Sequence, residues 1–177
     1  MNRPEANLPT PTWPEDIYRS LVDLDIRQLA YVPDHGYETI IGNCRKNERM
    51  HDVLLTTEQE GVGVLAGAWL GGQRGVLMMQ STGVGNCLNA LALTQACRFP
   101  LLMICTMRGE WGETNPWQNP MGKAVVDTLK LQQFYVYPVG RAEDVRETVL
   151  AAGSIVFNSS VPAAVMISQR VLGIVEF

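Results

Sequence analysis

The feature that most constrains the fold is a regular alternation of short apolar runs with longer segments of helical spacing. Residues 101–105 (LLMIC) are apolar throughout, which is typical of a strand covered on both faces of a parallel sheet. Further strands are predicted at 29–32, 53–55, 76–79, 134–139 and 163–167. The alternation with helices predicts a doubly wound α/β domain whose sheet is mostly parallel.

The predicted helices lie between these runs. They cover a segment opened by Pro14, the surroundings of Tyr37 to Cys44, and residues 58–70, 86–98 and 143–158. Residues 106–121 have no clear period and are predicted as a long loop. Residues 1–13 are Pro-rich and polar, and we predict a flexible arm there, followed by a single domain over 14–177. Gly63 and Gly67 lie four apart on one helix, a spacing that predicts close approach of another backbone.

Composition excludes several classes of function. The net charge is −4 and the pI about 5.2, without a cluster of Lys and Arg, so we expect no nucleic-acid partner. No apolar run is long enough for a membrane span, and residues 1–14 have no apolar signal core, so a cytoplasmic location is predicted. The cysteines have no metal-ligand spacing, so reduced thiols and no metal site on this chain are expected. They are Cys44, Cys87, Cys97 and Cys105.

A glycine pair follows the strand at 76–79. Gly83 and Gly85 are two apart and precede a helical pattern, as in a phosphate-binding turn. The dinucleotide fingerprint needs a third glycine where this chain has Leu88, and the Gly-Lys-Ser/Thr of a P-loop is absent, so a nucleotide-binding module is disfavoured. Two explanations remain open: a tight turn with glycine at positive φ, or a backbone that lies close to a flat ligand.

In open parallel sheets, ligands bind beyond the carboxyl ends of the strands. Four segments should meet there: residues 33–35, 57–58, 81–86 and 108–121. These segments also contain the chain's most unusual polar residues, so they are the predicted site.

Four stretches carry a family resemblance. In chain order they are TEQEGVGVLAGAWLGG, MQSTGVGNCLNAL, FPLLMICTMRGEWGE and QNPMGK. Over residues 17–167 the chain resembles the pyrimidine-binding domain of thiamine-diphosphate enzymes, and within them the sulfopyruvate decarboxylase alpha subunits, with phosphonopyruvate decarboxylases as near relatives. The resemblance implies a three-layer αβα fold with a six-stranded sheet. It also implies 2-oxo acid decarboxylation, with a subunit that has lost catalysis as the alternative.

The resemblance further implies a cofactor and a partner. Thiamine diphosphate and Mg²⁺ are expected, with the diphosphate and metal held by a second domain that carries a Gly-Asp-Gly motif. That motif does not occur in this sequence. A beta subunit is therefore the expected partner, in a hetero-oligomer whose active site is shared between the two kinds of chain.

The same resemblance assigns residues to the cofactor. Glu58 is expected to bond the pyrimidine ring nitrogen and to be catalytic. Glu60 is the competing carboxylate, and a helix-dipole role is the structural alternative for Glu58. The wall of the pyrimidine slot is expected from Thr82, Gly83, Val84, Gly85 and Asn86.

Further candidates concern the substrate. His35, just past Pro33, is the second catalytic candidate, or else a loop histidine that bonds backbone. Substrate binding is predicted for Arg108, Gln118 and Lys123, because a substrate with a carboxylate and a sulfonate or phosphonate needs positive partners. The alternative for Arg108 and Lys123 is solvation at the surface or an ion pair with Glu110 or Glu113. Trp111 and Trp117 are expected to form a lid or to pack on the partner.

Overall fold

A six-stranded, entirely parallel sheet forms the centre of the structure, a computed structural model that describes residues 13–173. The strands are β1 (Ile26–Tyr31), β2 (His51–Leu54), β3 (Arg74–Gln80), β4 (Leu101–Thr106), β5 (Tyr135–Val139) and β6 (Pro162–Ile167). Their order is β2-β1-β3-β4-β6-β5. Tyr31, Met78 and Ile104 lie in one row across β1, β3 and β4. The predicted fold class is confirmed.

Helices cover both faces of the sheet. They are α1 (Trp13–Asp23), α2 (Glu38–Lys46), α3 (Glu58–Leu70), α4 (Val84–Cys97), α5 (Asn119–Leu131), α6 (Val145–Ser159) and the short α7 (Gln169–Leu172). α1, α2 and α6 share one apolar cluster with the sheet, and α3, α4 and α5 share the other. Among residues 13–173, no helix is long and apolar enough to cross a membrane.

The predicted arm lies almost wholly outside the described residues, which begin at Trp13. Trp13 is the first residue of α1 and is buried, so it belongs to the domain rather than to the arm. Burying a side chain of this size contributes roughly 2–3 kcal/mol, enough to fix the start of α1 on the core.

One helix begins inside the segment that was predicted as loop. α5 starts at Asn119, with Pro120 in its first turn, where proline's fixed φ suits a helix start. Its buried positions are Gly122, Val125 and Leu129. The prediction of loop through residue 121 was wrong because the apolar repeat becomes visible only after the proline and glycine.

A buried tyrosine joins α2 to the centre of the sheet. The Tyr37 hydroxyl lies 2.9 Å from the carbonyl oxygens of Met79 and Ile104, to which it can donate, and accepts from the Thr106 N–H at 3.1 Å. Burial raises the pKa of Tyr37 well above its usual value. The hydroxyl satisfies backbone groups where β3 and β4 end, at the edge where the loops of the candidate site begin.

Candidate functional site

A pocket of about 350 Å³ opens at the carboxyl edge of the sheet. Its lining comes from the starts of α3 and α4, the end of β3 and the start of α5: Glu58, Gln80, Thr82, Gly83, Asn86, Trp117, Pro120 and Met121. This is the edge at which open parallel sheets bind ligands. The position agrees with the edge predicted from the sequence.

Glu58 is the one carboxylate in the lining. It is the first residue of α3 and only 6% exposed, where the partial positive charge of a helix N-terminus stabilises an anion. The Asn86 side-chain amide donates to Glu58 Oε2 at 2.8 Å. Glu60, the competing carboxylate, is exposed and accepts from the Thr56 N–H. The structure therefore places Glu58, and not Glu60, in the pocket.

Gly83 makes room for that carboxylate. A Cβ on Gly83 would lie 2.6 Å from Glu58 Cδ, closer than two carbon atoms can approach. The φ of Gly83 is −65°, so the positive-φ turn left open by the sequence does not occur. Glycine is required here because the carboxylate group packs directly against the backbone.

The remaining predicted wall residues divide into two groups. Thr82 and Asn86 line the pocket beside Gly83. Val84 is fully buried in the apolar cluster, and Gly85 lies in the first turn of α4 near Met121. Neither of these two is among the pocket-lining residues, because the helix turns them away from the opening.

Arg108 lies beneath the site in a buried ion pair. Its Nη2 donates to Asp34 Oδ1 at 2.5 Å, and both side chains are about nine-tenths buried. The other Asp34 oxygen accepts from the Thr106 hydroxyl. The Arg108 N–H donates to the Ser81 hydroxyl at 2.9 Å. Arg108 thus joins the loops that follow β1, β3 and β4, and its guanidinium is not in the pocket lining.

The Arg108 backbone also fixes the start of α5. A Cβ on Gly122 would collide with the Arg108 carbonyl group, and one on Gly109 would lie 2.9 Å from Asn119 Cα. Gly109 has a φ of +73°, which favours glycine. This close packing sets the position of Met121 and its neighbours in the pocket wall.

The other predicted substrate and catalytic residues lie around the site rather than in it. His35 is exposed in the loop between β1 and α2, next to Asp34, and Lys123 is exposed on α5. Gln118 is half-buried, and its Oε1 is buried without a hydrogen-bond partner among the described residues. The structure does not bring these three side chains into the pocket lining.

The loop that carries Trp111 is attached to the end of β6. Gln169 Oε1 accepts from the N–H groups of Glu110 and Trp111, and its amide donates to Glu113. Burial acts to raise the pKa of Glu113, but hydrogen bonds from the backbone of Asn115 and Gly109 and from Gln169 hold it below its usual value. Trp111 is thereby fixed near Arg170.

Trp117 differs from Trp111. It lines the pocket but is 81% exposed. Sequence reasoning singled out the two tryptophans together, although only Trp117 lies at the pocket. Of the other lining residues, Pro120 and Met121 fall within the predicted segment 108–121 but were not singled out, and Gln80 was missed although it ends β3 at the predicted edge.

The cysteine nearest the pocket is an unreactive thiol, and the described residues group no metal ligands of their own. Burial, and then the nearby Glu58 carboxylate, raise the pKa of the Cys87 thiol to about 12, so it carries little thiolate at neutral pH. Cys44, Cys87 and Cys105 are buried and Cys97 is exposed, all as free thiols. Within residues 13–173, no three His, Cys, Asp or Glu side chains are grouped to hold a metal ion.

A larger cavity, of about 640 Å³, lies at the opposite edge of the sheet. Of the three arginines in its lining, Arg27 and Arg49 pair with Asp25, also in the lining, and Arg74 donates to the Leu24 carbonyl oxygen. The cavity is an open surface depression lined by solvated charges, at the edge where parallel sheets do not bind ligands. The smaller pocket, with its buried carboxylate, is the better candidate site.

Fold and pocket together define a cofactor-binding α/β domain. The family described as "Thiamine pyrophosphate enzyme, N-terminal TPP binding domain" matches residues 12–131. This is more than half of the chain, and the chain belongs to that family. The pocket fits the pyrimidine end of the cofactor, since a buried carboxylate, an amide and a bare glycine backbone surround one opening.

The chain is also similar to individual proteins over much of its length. The chain is 27% identical to the sulfopyruvate decarboxylase subunit alpha of Methanococcus maripaludis, over 86% of this chain and 92% of the relative. It is 30% identical to that of Methanothermobacter thermautotrophicus, over 86% and 93%. The phosphonopyruvate decarboxylase of Streptomyces viridochromogenes is 34% identical over 66% of this chain, but this match spans only 30% of that longer protein.

A solved structure shows the same fold. A 2-oxoglutarate:ferredoxin oxidoreductase from Magnetococcus marinus superposes with a TM-score of 0.70, over 90% of this chain and 29% of the other. Sequence identity is 10%, so the likeness concerns the fold alone.

Proposed function

We propose that this chain is the alpha subunit of a two-component, thiamine-diphosphate-dependent decarboxylase that converts sulfopyruvate to sulfoacetaldehyde and CO₂. The observation that carries the proposal is Glu58, a buried carboxylate in a pocket with Gly83 against it and the Asn86 amide on Oε2. The alpha subunits that match nearly end to end support the subunit and the substrate.

Six of the eight pocket-lining residues have a defined task in this proposal. Thiamine diphosphate supplies the electron sink for the decarboxylation of a 2-oxo acid. Glu58 would hold a proton at the pyrimidine ring nitrogen, and Asn86, which donates to Glu58 Oε2, would orient the carboxylate. Thr82 and the Gly83 backbone form one wall, and Trp117 and Met121 restrict water on the other side.

The diphosphate and Mg²⁺ are assigned to a partner beta subunit. The pocket lining includes no Lys or Arg from residues 13–173, and this part of the chain groups no metal ligands. We therefore assign the groups that bind the diphosphate to the partner subunit. A hetero-oligomer with a shared active site meets this need.

The substrate assignment relies on residues at the rim. Lys123 and Gln118 are the proposed contacts for the substrate's acidic groups, and His35 is the proposed second acid/base group. Arg108 can contribute directly only by leaving Asp34, so in this proposal it acts on the substrate through the loops that it joins. Phosphonopyruvate, which needs similar donors, is the alternative substrate.

The test is coexpression of this chain with a neighbouring chain that carries the diphosphate-binding domain. CO₂ release from sulfopyruvate and from phosphonopyruvate is followed with thiamine diphosphate and Mg²⁺ present or omitted. CO₂ release that requires both chains and the cofactor supports the proposal. The 2-oxo acid from which CO₂ is released faster is the preferred substrate. Cofactor binding without release from either acid would move the substrate to another 2-oxo acid or favour a regulatory subunit.

A matched pair of variants tests Glu58. Glu58→Gln removes the proton-holding carboxylate and should lower kcat by about 10²-fold or more, with an unchanged circular dichroism spectrum. Glu60→Gln changes the exposed carboxylate two residues away and should retain activity. Wild-type turnover by Glu58→Gln would remove Glu58 from the mechanism.

A further inference from the structure

His35 is the second residue of a tight turn that follows β1. The Tyr37 N–H donates to the Asp34 carbonyl oxygen at 3.1 Å and closes this turn. Gly36, the third residue of the turn, has a φ of +90°, which favours glycine. A Cβ on Gly36 would lie 2.8 Å from the Trp13 ring. The hydrogen bond and the packing against α1 therefore hold the backbone on either side of His35.

Both ends of this turn are also fixed to the centre of the sheet. Asp34 begins the turn, and its carboxylate accepts from the Arg108 guanidinium and from the Thr106 hydroxyl. The Asp34 side chain is only 11% exposed. Tyr37 ends the turn, is fully buried, and bonds through its hydroxyl to the backbone where β3 and β4 end. His35 thus lies between two buried side chains that are both bonded to the sheet.

The imidazole of His35 is unoccupied, in contrast to its backbone. The side chain is exposed, and within residues 13–173 no hydrogen bond or ion pair joins it to another residue. The structure therefore does not show the loop histidine bonded to backbone that the sequence left as the alternative. A fixed backbone with a free imidazole suits an acid/base group, because both ring nitrogens remain available to a reacting molecule.

The bonds of Asp34 also lead to the pocket wall. The Arg108 N–H donates to the Ser81 hydroxyl at 2.9 Å, and Ser81 precedes the lining residue Thr82. Asp34 and the turn that forms this wall are thus connected through one residue, Arg108. An ion pair buried to this degree adds little net stability compared with apolar residues of the same volume, so stability alone does not account for it.

We infer that Asp34 is a positioning residue, which holds His35 in a fixed place relative to the pocket. The inference rests on the proposed function for the role of His35 as an acid/base group. Asp34 itself is not among the pocket-lining residues, and both of its carboxylate oxygens are occupied by Arg108 and Thr106. It acts through the turn that it begins, not by contact with substrate.

A second carboxylate in a similar setting provides the matched control. Asp52 on β2 also accepts from a guanidinium and a hydroxyl, those of Arg45 at 2.8 Å and Tyr31 at 3.1 Å, but it lies outside the turn. Asp34→Ala and Asp52→Ala are each made in the full-length chain, and amide hydrogen exchange is measured at residues 34–37. Exchange there should be about 10-fold faster or more in Asp34→Ala, because the turn opens locally. It should match wild type in Asp52→Ala.

A double variant guards against loss of folding. Asp34→Ala leaves the Arg108 charge buried and unpaired, so Arg108→Met is added to remove that charge. The double variant should have the circular dichroism spectrum of wild type and still exchange faster at residues 34–37. Wild-type exchange at these residues in the folded double variant overturns the inference.

Turnover shows whether the position of His35 matters. In the complex with the chain that carries the diphosphate-binding domain, Asp34→Ala should lower kcat about 10-fold and change KM less than about twofold, since a displaced acid/base group loses rate rather than binding. In a His35→Gln background, the same substitution should lower kcat less than about twofold further, because the group it positions is gone. A full 10-fold loss in both backgrounds means that Asp34 does not act through His35, and overturns the inference.

The outcomes separate this inference from the proposed function. If the wild-type complex releases no CO₂ from either acid, but exchange at residues 34–37 rises in Asp34→Ala and not in Asp52→Ala, the positioning of the turn stands and the proposed activity fails. If the complex is active and exchange at these residues is the same in Asp34→Ala as in wild type, the proposed function stands and the inference is overturned.

Discussion

The helical layers on the two sides of the sheet differ in what they present outward. On one side, α1 and α6 carry charged residues that pair across the layer, such as Arg146 with Asp23 at 2.7 Å. On the other side, the outer face of α3 and α4 beyond their first turns has none. Both layers bury an apolar cluster of similar kind against the sheet. The inner faces of both layers are explained by folding, whereas only the outer face of α1 and α6 has the paired charges that are typical of a solvated surface.

The largest expected effect concerns the ion pair that connects the two sides. Asp34 lies in the loop before α2, and Arg108 lies in the loop before α5. Arg108→Met leaves the buried Asp34 carboxylate without its partner and should lower the free energy of unfolding by roughly 3–5 kcal/mol. Urea unfolding of the purified chain measures the loss.

Two controls accompany this variant. Arg141→Met breaks only exposed ion pairs and should cost less than about 1 kcal/mol. Arg108→Met combined with Asp34→Asn should recover part of the loss, because the unpaired charge is removed. An Arg108→Met chain with wild-type stability would show that this ion pair does not stabilise the fold. It would favour the alternative that Arg108 binds the substrate directly.

An intermediate effect is expected where α6 packs against the end of α1. A Cβ on Gly153 of α6 would lie 2.7 Å from Leu24 Cδ2, within the buried contact between α6 and α1. Gly153→Ala should therefore lower the free energy of unfolding by up to about 2 kcal/mol, since overpacking outweighs the helix-propensity gain of alanine. Thermal unfolding measures it; a variant more stable than wild type would mean that Leu24 moves aside freely.

The smallest effect, of opposite sign, is expected on the uncharged outer face of α3. Gly67→Ala adds a Cβ into open space and should stabilise the isolated chain by about 0.4–1 kcal/mol, because alanine favours the helix. Thermal unfolding of the purified chain measures the gain, and a variant less stable than wild type would show that the added Cβ is not accommodated in open space.

Prediction from the sequence succeeded where the signal is local. The six apolar runs identify the six strands, and 58–70 was predicted as a helix with the bounds that α3 has. It failed at α5, whose start combines Asn119, Pro120 and Gly122 and shows no apolar repeat before Val125. The position of Glu58 could be predicted because the family motif that contains it is a short pattern along the chain.

The rest depended on contacts between distant parts of the chain. Arg108 and Asp34 are 74 residues apart, and the sequence offered only the nearby Glu110 and Glu113 as ion-pair partners. The two glycines of the β3–α4 turn look alike in sequence, yet only Gly83 packs against Glu58. Spacing along the chain carries no information on which of them faces a neighbour.

The αβ alternation, the family and the carboxylate at the start of α3 follow from the amino-acid sequence alone, since periodicity and short motifs are local patterns along the chain. The pairing of Arg108 with Asp34, the packing of Glu58 against Gly83, and the outward position of Gly63 and Gly67 become visible only in the folded chain. The physical reason is that burial, charge pairing and close approach depend on distances in space, and these are set only when all six strands have assembled into one sheet.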